Sequence, residues 1–227
     1  MAEVGASTRG AAIAVLFDMD GVLVDSYAAH YESWRRTCER RSVPLPEAVF
    51  ASGFGKTSVE FLRELWPRTL SADECRAIEH EKEVAYRSSL RDHFPEVPGA
   101  RELVLDLVGD GIALAVGSSG PPENVTMVLD ALRIRDCFGA VVTGRDVLRG
   151  KPDPMVFQLA AERLRVPASR AVVIEDASVG ITAAHAAGMR AIGYVSTGRT
   201  REELAAADRV VSSLRELTAA SIRSLIE

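Results

Sequence analysis

The sequence predicts an α/β fold, a Rossmann-like doubly wound parallel sheet interrupted by an inserted all-helical segment. Three observations predict it. Short apolar runs with β-branched cores recur along the chain and are apolar on both faces, as strands covered by helices on either side must be. Amphipathic stretches separate most of these runs, which is the strand–helix alternation of an open parallel sheet. From about Tyr27 to His93 that alternation lapses and only helical patterns remain.

Along the chain, MAEVGASTRG reads as a small, polar, mobile segment ahead of the first strand, AIAVLF (12–17). The apolar run is too short for a signal-peptide core with its cleavage site. YAAHYESWRRTCERR (27–41), SVEFLRELW (58–66) and SADECRAIEHEKEVAYRSSL (71–90) predict amphipathic helices, and SGFGKTS (52–58) a Gly-rich loop between the first two. Ser71 followed by Glu74 predicts a capping box for the third helix. FPEVPGA (94–100), with two prolines and a glycine, returns the chain to the α/β rhythm. Beyond it IALAVGS (112–118), AVVTG (140–144), AVVIED (171–176), AIGYV (191–195) and RVVSS (209–213) predict strands. Helices are predicted over Ala100–Asp110, Glu123–Leu132, Pro154–Leu164 and Val179–Ala187, with Gly188 as the C-cap of the last. The expected division is a core of residues 1–26 and 94–227 and a helical insert of residues 27–93.

Composition narrows the class. Of 227 residues, 47% are hydrophobic and 26% charged, which suits a globular domain rather than a disordered chain. No apolar stretch reaches membrane-spanning length. With a net charge of −5 and no long basic run, the chain offers no broad surface for a phosphate backbone, so neither nucleic acid nor membrane is an expected partner. Cys38, Cys75 and Cys137 are odd in number and scattered, which argues against a disulfide framework or a structural zinc site and for thiols in a reducing cytoplasm.

In an open parallel sheet the site lies beyond the carboxyl ends of the strands. FDMDGVLVDS puts Asp18 and Asp20 at the end of the first strand, VGSSG puts Ser118 and Ser119 at the second, and VVIEDAS puts Glu175 and Asp176 at a third. Lys151, in RGKPDP, precedes that third strand and its leading helix. Carboxylates crowded on one edge repel one another unless a cation neutralises them. All-oxygen ligands select a hard ion, Mg²⁺ above all, and its remaining positions suit a negatively charged substrate such as a phosphate. Lys151, Ser118 and the backbone N–H groups of SSG suit phosphoryl oxygens.

DMDG, GSSG, GKPDP and IEDASVGITAAHAAGM, in this order and spacing, resemble the four motifs of the haloacid dehalogenase superfamily, and the helical insert resembles the cap of its β-phosphoglucomutase-like branch. The resemblance implies Asp18 as a nucleophile forming an aspartyl-phosphate, and Asp20 as the general acid and base. It implies Mg²⁺ held by Asp18, the backbone carbonyl of Asp20, Asp176, and Glu175 directly or through water. Ser118 is implied to bind the transferring phosphoryl group and Lys151 to balance its charge. Members that remove halide or cleave carbon–phosphorus bonds lack the second aspartate, so Asp20 points to phosphate esters.

Within the insert, His30 stands twelve residues after Asp18, where the resemblance puts a histidine near the acid/base aspartate, with a half-exposed histidine as the alternative. Trp34 reads as packing, one helical turn on. Lys56 stands where the mutase pattern has an arginine gripping a distal phosphate, a point charge in place of a two-pronged fork. Lys82 is a second expected substrate contact, set against a solvated helix charge beside Glu81 and Glu83. Arg87 is expected at the surface. The expected function is a cytoplasmic Mg²⁺-dependent phosphatase, a monomer or weak dimer, acting on a small phosphorylated metabolite, a sugar phosphate by preference. A β-phosphoglucomutase-like mutase is the alternative. A carbon–phosphorus hydrolase using Lys56 as a Schiff base and a non-catalytic binding protein are the lesser ones.

Overall fold

The computed structural model describes residues 13–54 and 56–226. The reading of MAEVGASTRG as a mobile segment and the placement of Gly55 in a loop lie outside the described residues. In chain order the elements are β1 (Ala14–Phe17), α1 (Tyr27–Glu39), α2 (Glu47–Gly53), α3 (Ser58–Leu65), α4 (Ala72–Asp92), α5 (Ala100–Gly109), β2 (Ala113–Gly117), α6 (Pro122–Leu132), β3 (Ala140–Val142), α7 (Met155–Leu164), β4 (Ala171–Glu175), α8 (Ser178–Ala186), β5 (Arg190–Tyr194), β6 (Arg209–Val211) and α9 (Ala219–Arg223).

The strands form one parallel sheet in the order β3-β2-β1-β4-β5-β6. Because successive side chains of a strand point to opposite faces, β1 serves two cores. Val15 and Phe17 pack with Leu103, Leu107 and Val128 on one face, and Ala14 and Leu16 with Phe157, Ala160 and Ile181 on the other. This double covering is why the strands read as unbroken apolar runs. The connections from β1 and from β4 leave toward opposite edges, which opens a crevice at the β1–β4 boundary.

Between β1 and α5 lie four helices with an apolar cluster of their own, including Trp34, Cys38, Phe50, Phe61 and Leu62. The segments leading into and out of them run side by side: Val24 bridges Glu96, and Asp25 N donates to Pro95 O at 2.8 Å. The capping box of α4 forms as the sequence predicts, with Glu74 N donating to Ser71 Oγ at 3.2 Å and Ser71 N to Glu74 Oε2 at 2.8 Å. Gly188 follows the end of α8 with φ +77°, the left-handed geometry its cap position requires. Two elements differ from expectation: α9 is not among the predicted helices, and α2 takes up part of a predicted loop. The stretch read as a Gly-rich loop begins inside α2, which runs through Ser52 and Gly53. Two turns with a buried Phe50 are too short to carry a periodic signal, and position 53 takes glycine within the helix because a Cβ there would strike the Phe61 ring. Among the described residues no helix is long and apolar enough to cross a membrane.

Candidate active site

Phe17 pairs with Val116 of β2 and Ile174 of β4, so the residues that follow leave the sheet edge beside one another. Asp18 N donates to Ile174 O at 2.9 Å, which seats Asp18 next to Glu175. The chain then turns at Gly21, with φ +78°. A Cβ at Gly21 would collide with the Asp176 carboxylate, so glycine answers both the backbone geometry and the close approach.

Asp18, Glu175 and Asp176 are buried, and each brings a carboxylate oxygen within 4.8 Å of the others. Lys151 Nζ donates to Asp18 Oδ1 and to Glu175 Oε1, both at 2.6 Å. Glu175 Oε2 accepts the N–H groups of Asp176 and Ala177 at 2.9 Å, and Ser196 Oγ donates to Asp176 Oδ2 at 2.7 Å. Three carboxylates thus face one ammonium. Burial pushes Asp18 well above the usual carboxylate range; Lys151 opposes this, and Glu175, Asp176 and Asp20 add to it. Burial, then the Glu175 charge, pushes Asp176 up to about 7. Burial works to lower the Lys151 pKa, but Asp18 and Glu175 outweigh it and hold the ammonium protonated. A cluster of oxygen donors with surplus negative charge and no His or Cys suits a hard divalent cation.

Asp20 faces the other way. Its Oδ1 accepts hydrogen bonds from Ser26 Oγ at 2.6 Å, His30 Nε2 at 3.0 Å and Tyr86 Oη at 3.1 Å. Burial works to raise its pKa, but His30, Ser26 and the nearby Lys82 charge outweigh it and hold the carboxyl at about 2. His30 stacks on Tyr86 with ring centroids 3.9 Å apart, and its Nδ1 accepts from Lys82 Nζ at 2.7 Å.

Nine of the ten residues singled out in the sequence line one cavity between the helical insert and the core. The tenth, Ser118, lies buried beside it, its Oγ accepting from Gly120 N at 3.0 Å. A Cβ at Gly120 would stand 3.3 Å from Ser118 Oγ and 3.8 Å from Asp20 Oδ2, so serine and aspartate both approach that glycine. His30 is buried at 8% exposure rather than half-exposed, and Trp34 packs edge-on to Phe61 at 5.0 Å. Lys56 reaches the cavity wall, but its Nζ is held by both Glu64 oxygens at 2.7 and 2.8 Å.

One alternative falls and one expectation is corrected. Lys82 is not a solvated charge: at 2% exposure it bonds His30 and Glu83 and lies 5.2 Å from the Tyr86 ring centroid. Arg87 is half-buried and donates to Asn124 Oδ1 at 2.9 Å. Sequence reasoning also missed Ser26, Tyr86, Glu83 and Asn124. Tyr86 had a usable signal, standing one helical turn after Lys82 on the same face. In the loop after β5, Thr197 Oγ1 donates to Asp25 Oδ2 at 2.7 Å within the core, and Arg199 Nη2 donates to Phe54 O at 2.9 Å, tying the core to the insert from a second side.

With the geometry in place, comparison with known proteins decides the family. Residues 15–194 match the haloacid dehalogenase-like hydrolase family. The chain belongs to this family. Among its relatives in it is the validoxylamine A 7′-phosphate phosphatase of Streptomyces hygroscopicus subsp. limoneus, 35% identical over 207 residues, covering 89% of this chain and 94% of that one. The β-phosphoglucomutase of Bacillus subtilis is 31% identical over 212 residues, covering 90% and 91%. The crystal structure of β-phosphoglucomutase from Clostridium difficile superposes with a TM-score of 0.86 at 27% identity, covering 95% and 97%. This hydrolase therefore shares its whole architecture, helical insert included, with the β-phosphoglucomutase-like members of the family.

Proposed function

We propose that this hydrolase is a Mg²⁺-dependent phosphatase that cleaves a small phosphate monoester, a sugar phosphate, through a phosphoryl group carried on Asp18. The observation that carries the reading is the pairing of the Asp18–Lys151–Glu175–Asp176 cluster with a separately held Asp20 in one cavity. In the first step a carboxylate oxygen of Asp18 bonds to phosphorus, the ester P–O bond breaks, and the leaving oxygen takes a proton from Asp20. In the second, water attacks the same phosphorus, Asp20 accepts its proton, and the bond to Asp18 breaks to free phosphate. Lys151 and the Ser118 hydroxyl face the phosphoryl oxygens, and Ser119 lines their approach. Asp18, Asp176, the backbone carbonyl of Asp20, and Glu175 directly or through water would hold Mg²⁺. When bound there the ion neutralises the carboxylates and the charge on the phosphoryl group. Asp20, held at about 2 by His30, Ser26 and the Lys82 charge, is drawn here in its base form, and it must give up some of its hydrogen bonds to carry a proton.

The names of the relatives favour a phosphorylated carbohydrate as substrate. Residues 27–93 serve as a cap that closes over the site, hinged near Asp25–Tyr27 and Pro95–Gly99. The structural likeness to β-phosphoglucomutase keeps mutase activity as the second reading. Against it stands Lys56: an ammonium already bonded to Glu64 is a weak grip for a distal phosphate. The same ion pair counts against Lys56 as a desolvated Schiff-base nucleophile. The test is phosphate release from a panel of phosphorylated metabolites, with Mg²⁺ and in excess EDTA. Release that needs Mg²⁺ is expected, whereas no release from any monoester, or full activity in EDTA, would overturn the reading. For the second reading, ³¹P NMR of β-glucose 1-phosphate with a trace of glucose 1,6-bisphosphate decides. Rapid formation of glucose 6-phosphate with little free phosphate would establish the mutase.

A further inference from the structure

Glu83, on α4, is a buried carboxylate at 4% exposure that the scheme above does not use. Its Oε1 accepts from Lys82 Nζ at 2.8 Å and its Oε2 from Asn124 Nδ2 at 2.6 Å. Asn124 is fully buried in the first turn of α6, the helix that starts where the Ser118–Gly120 segment ends. Its Oδ1 accepts from Arg87 Nη1 at 2.9 Å, so both ends of the amide are used and its orientation is set. From Lys82 the bonds continue to His30 Nδ1 at 2.7 Å and from His30 Nε2 to Asp20 Oδ1 at 3.0 Å. An unbroken buried chain of side chains therefore links the core helix at the phosphoryl site, through the insert, to Asp20.

Each link constrains the next. An ammonium can only donate, so His30 Nδ1 accepts from Lys82 and the ring proton sits on Nε2, the nitrogen that faces Asp20. Lys82 is buried with Glu83 against it, and among the described residues Glu83 is the one carboxylate bonded to it. Glu83 in turn holds its position by reaching across to Asn124 on the core. Separating insert from core would leave a buried acid and a buried amide without each other, so this bond exists only in the closed arrangement.

We propose that Glu83 and Asn124 are positioning residues, a clasp between insert and core that acts through Lys82 and His30 to set the orientation of the Asp20 carboxylate. The proposal rests on the reading of Asp20 as proton donor and acceptor. A displaced proton donor handicaps a poor leaving group far more than a good one, because an alkoxide must be protonated as it departs and p-nitrophenolate need not be. The readout is kcat/KM, which reports the step that expels the leaving group and excludes the shared hydrolysis of the Asp18 adduct.

Glu83→Gln, Asn124→Ala and Asp20→Asn are compared on glucose 6-phosphate and p-nitrophenyl phosphate. Glu83→Gln is expected to lose about tenfold more kcat/KM on the sugar phosphate than on the aryl one. Asn124→Ala, which leaves the Lys82–Glu83 pair intact and guards against misfolding of the first variant, is expected to show the same bias to a smaller degree. Equal losses on both substrates, or a loss confined to KM, would overturn the clasp as long as Asp20→Asn shows the bias. If Asp20→Asn shows no bias, or the unaltered enzyme releases phosphate from neither substrate, the reading of the site itself fails instead.

Discussion

Replacing Asp176 by Asn should make the metal-free protein more stable at pH 8, not less. Asp176 is buried, and burial with the adjacent Glu175 charge lifts its pKa from 3.8 to about 7. A carboxyl whose folded pKa is raised binds more protons folded than unfolded between about pH 4 and pH 7, so stability falls as pH climbs through that window and levels off above it. A gap of about three pH units corresponds to about 4 kcal/mol against the ionised folded form at pH 8. Asn removes that charge and keeps an oxygen for the Ser196 hydroxyl, but it loses attraction to Lys151 and Arg199 and adds an N–H₂ group to satisfy. About half of the cost should be recovered, roughly 2 kcal/mol, or about 4–8 °C in Tm for a chain of this size. The assay is thermal unfolding of both proteins in EDTA at pH 8 and pH 5.5, then at pH 8 with Mg²⁺. Asp176→Asn should melt higher in EDTA at pH 8, by a margin that shrinks at pH 5.5 as the wild-type carboxyl takes up its proton. The wild type should gain more from Mg²⁺. A variant that melts below the wild type in EDTA at pH 8, or a wild type equally stable at both pH values, refutes the claim that the cluster carries unrelieved charge.

Four further outcomes are expected. Asp18→Asn should abolish turnover by many orders of magnitude with the fold intact by circular dichroism, because a neutral amide cannot take the phosphoryl group; activity within about tenfold of wild type would remove Asp18 from that role. Gly21→Ala should cost about 2 kcal/mol or more in chemical denaturation, since it strains a left-handed backbone and drives a methyl group into Asp176; an unchanged midpoint would contradict the packing described. Lys56→Ala should raise KM for sugar phosphates more than it lowers kcat, a split read directly from steady-state kinetics. Small-angle scattering should show compaction when Mg²⁺ and beryllium fluoride are added together, and an unchanged profile would count against a closing insert.

The strand ends were legible because backbone geometry dictates them. A parallel strand buried on both faces must be apolar until it reaches the edge, so the first acids or hydroxyls after each run mark the edge itself. Asp18, Ser118 and Glu175 could be read this way with no knowledge of what surrounds them. Lys82 could not. Between Glu81 and Glu83 it reads as part of a solvated charged run, yet α4 turns by about 100° per residue. Glu81 faces outward to Arg40 and Arg41, while Lys82 faces the cavity and Tyr86 reaches Asp20. The run looked uniform because its members point in different directions. Glu83 and Asn124 were illegible for another reason: they stand 41 residues apart, on insert and core, and nothing local in either segment marks the other as its partner.

The two aspartates of the first motif show what the insert contributes. Asp18 and Asp20 are the same residue type two positions apart, one buried and the other partly buried, yet their pKa values move in opposite directions. The turn at Gly21 separates them. Asp18 looks along the sheet edge into Glu175, Asp176 and Lys151, all supplied by the core, where like charges outnumber the one ammonium. Asp20 looks up into donors, and two of the three, His30 and Tyr86, come from α1 and α4. Environments that drive two carboxyls apart in this way let one serve as an anionic nucleophile dependent on a cation while the other exchanges protons. The core alone can assemble the first condition, since three strand ends and Lys151 suffice. It cannot assemble the second: with the insert swung away, Asp18 keeps every partner it has, and Asp20 keeps only Ser26 of its side-chain donors. In the proposed scheme, closure of the insert would therefore do more than exclude water: it would bring His30 and Lys82, which lower the Asp20 pKa, against the proposed acid.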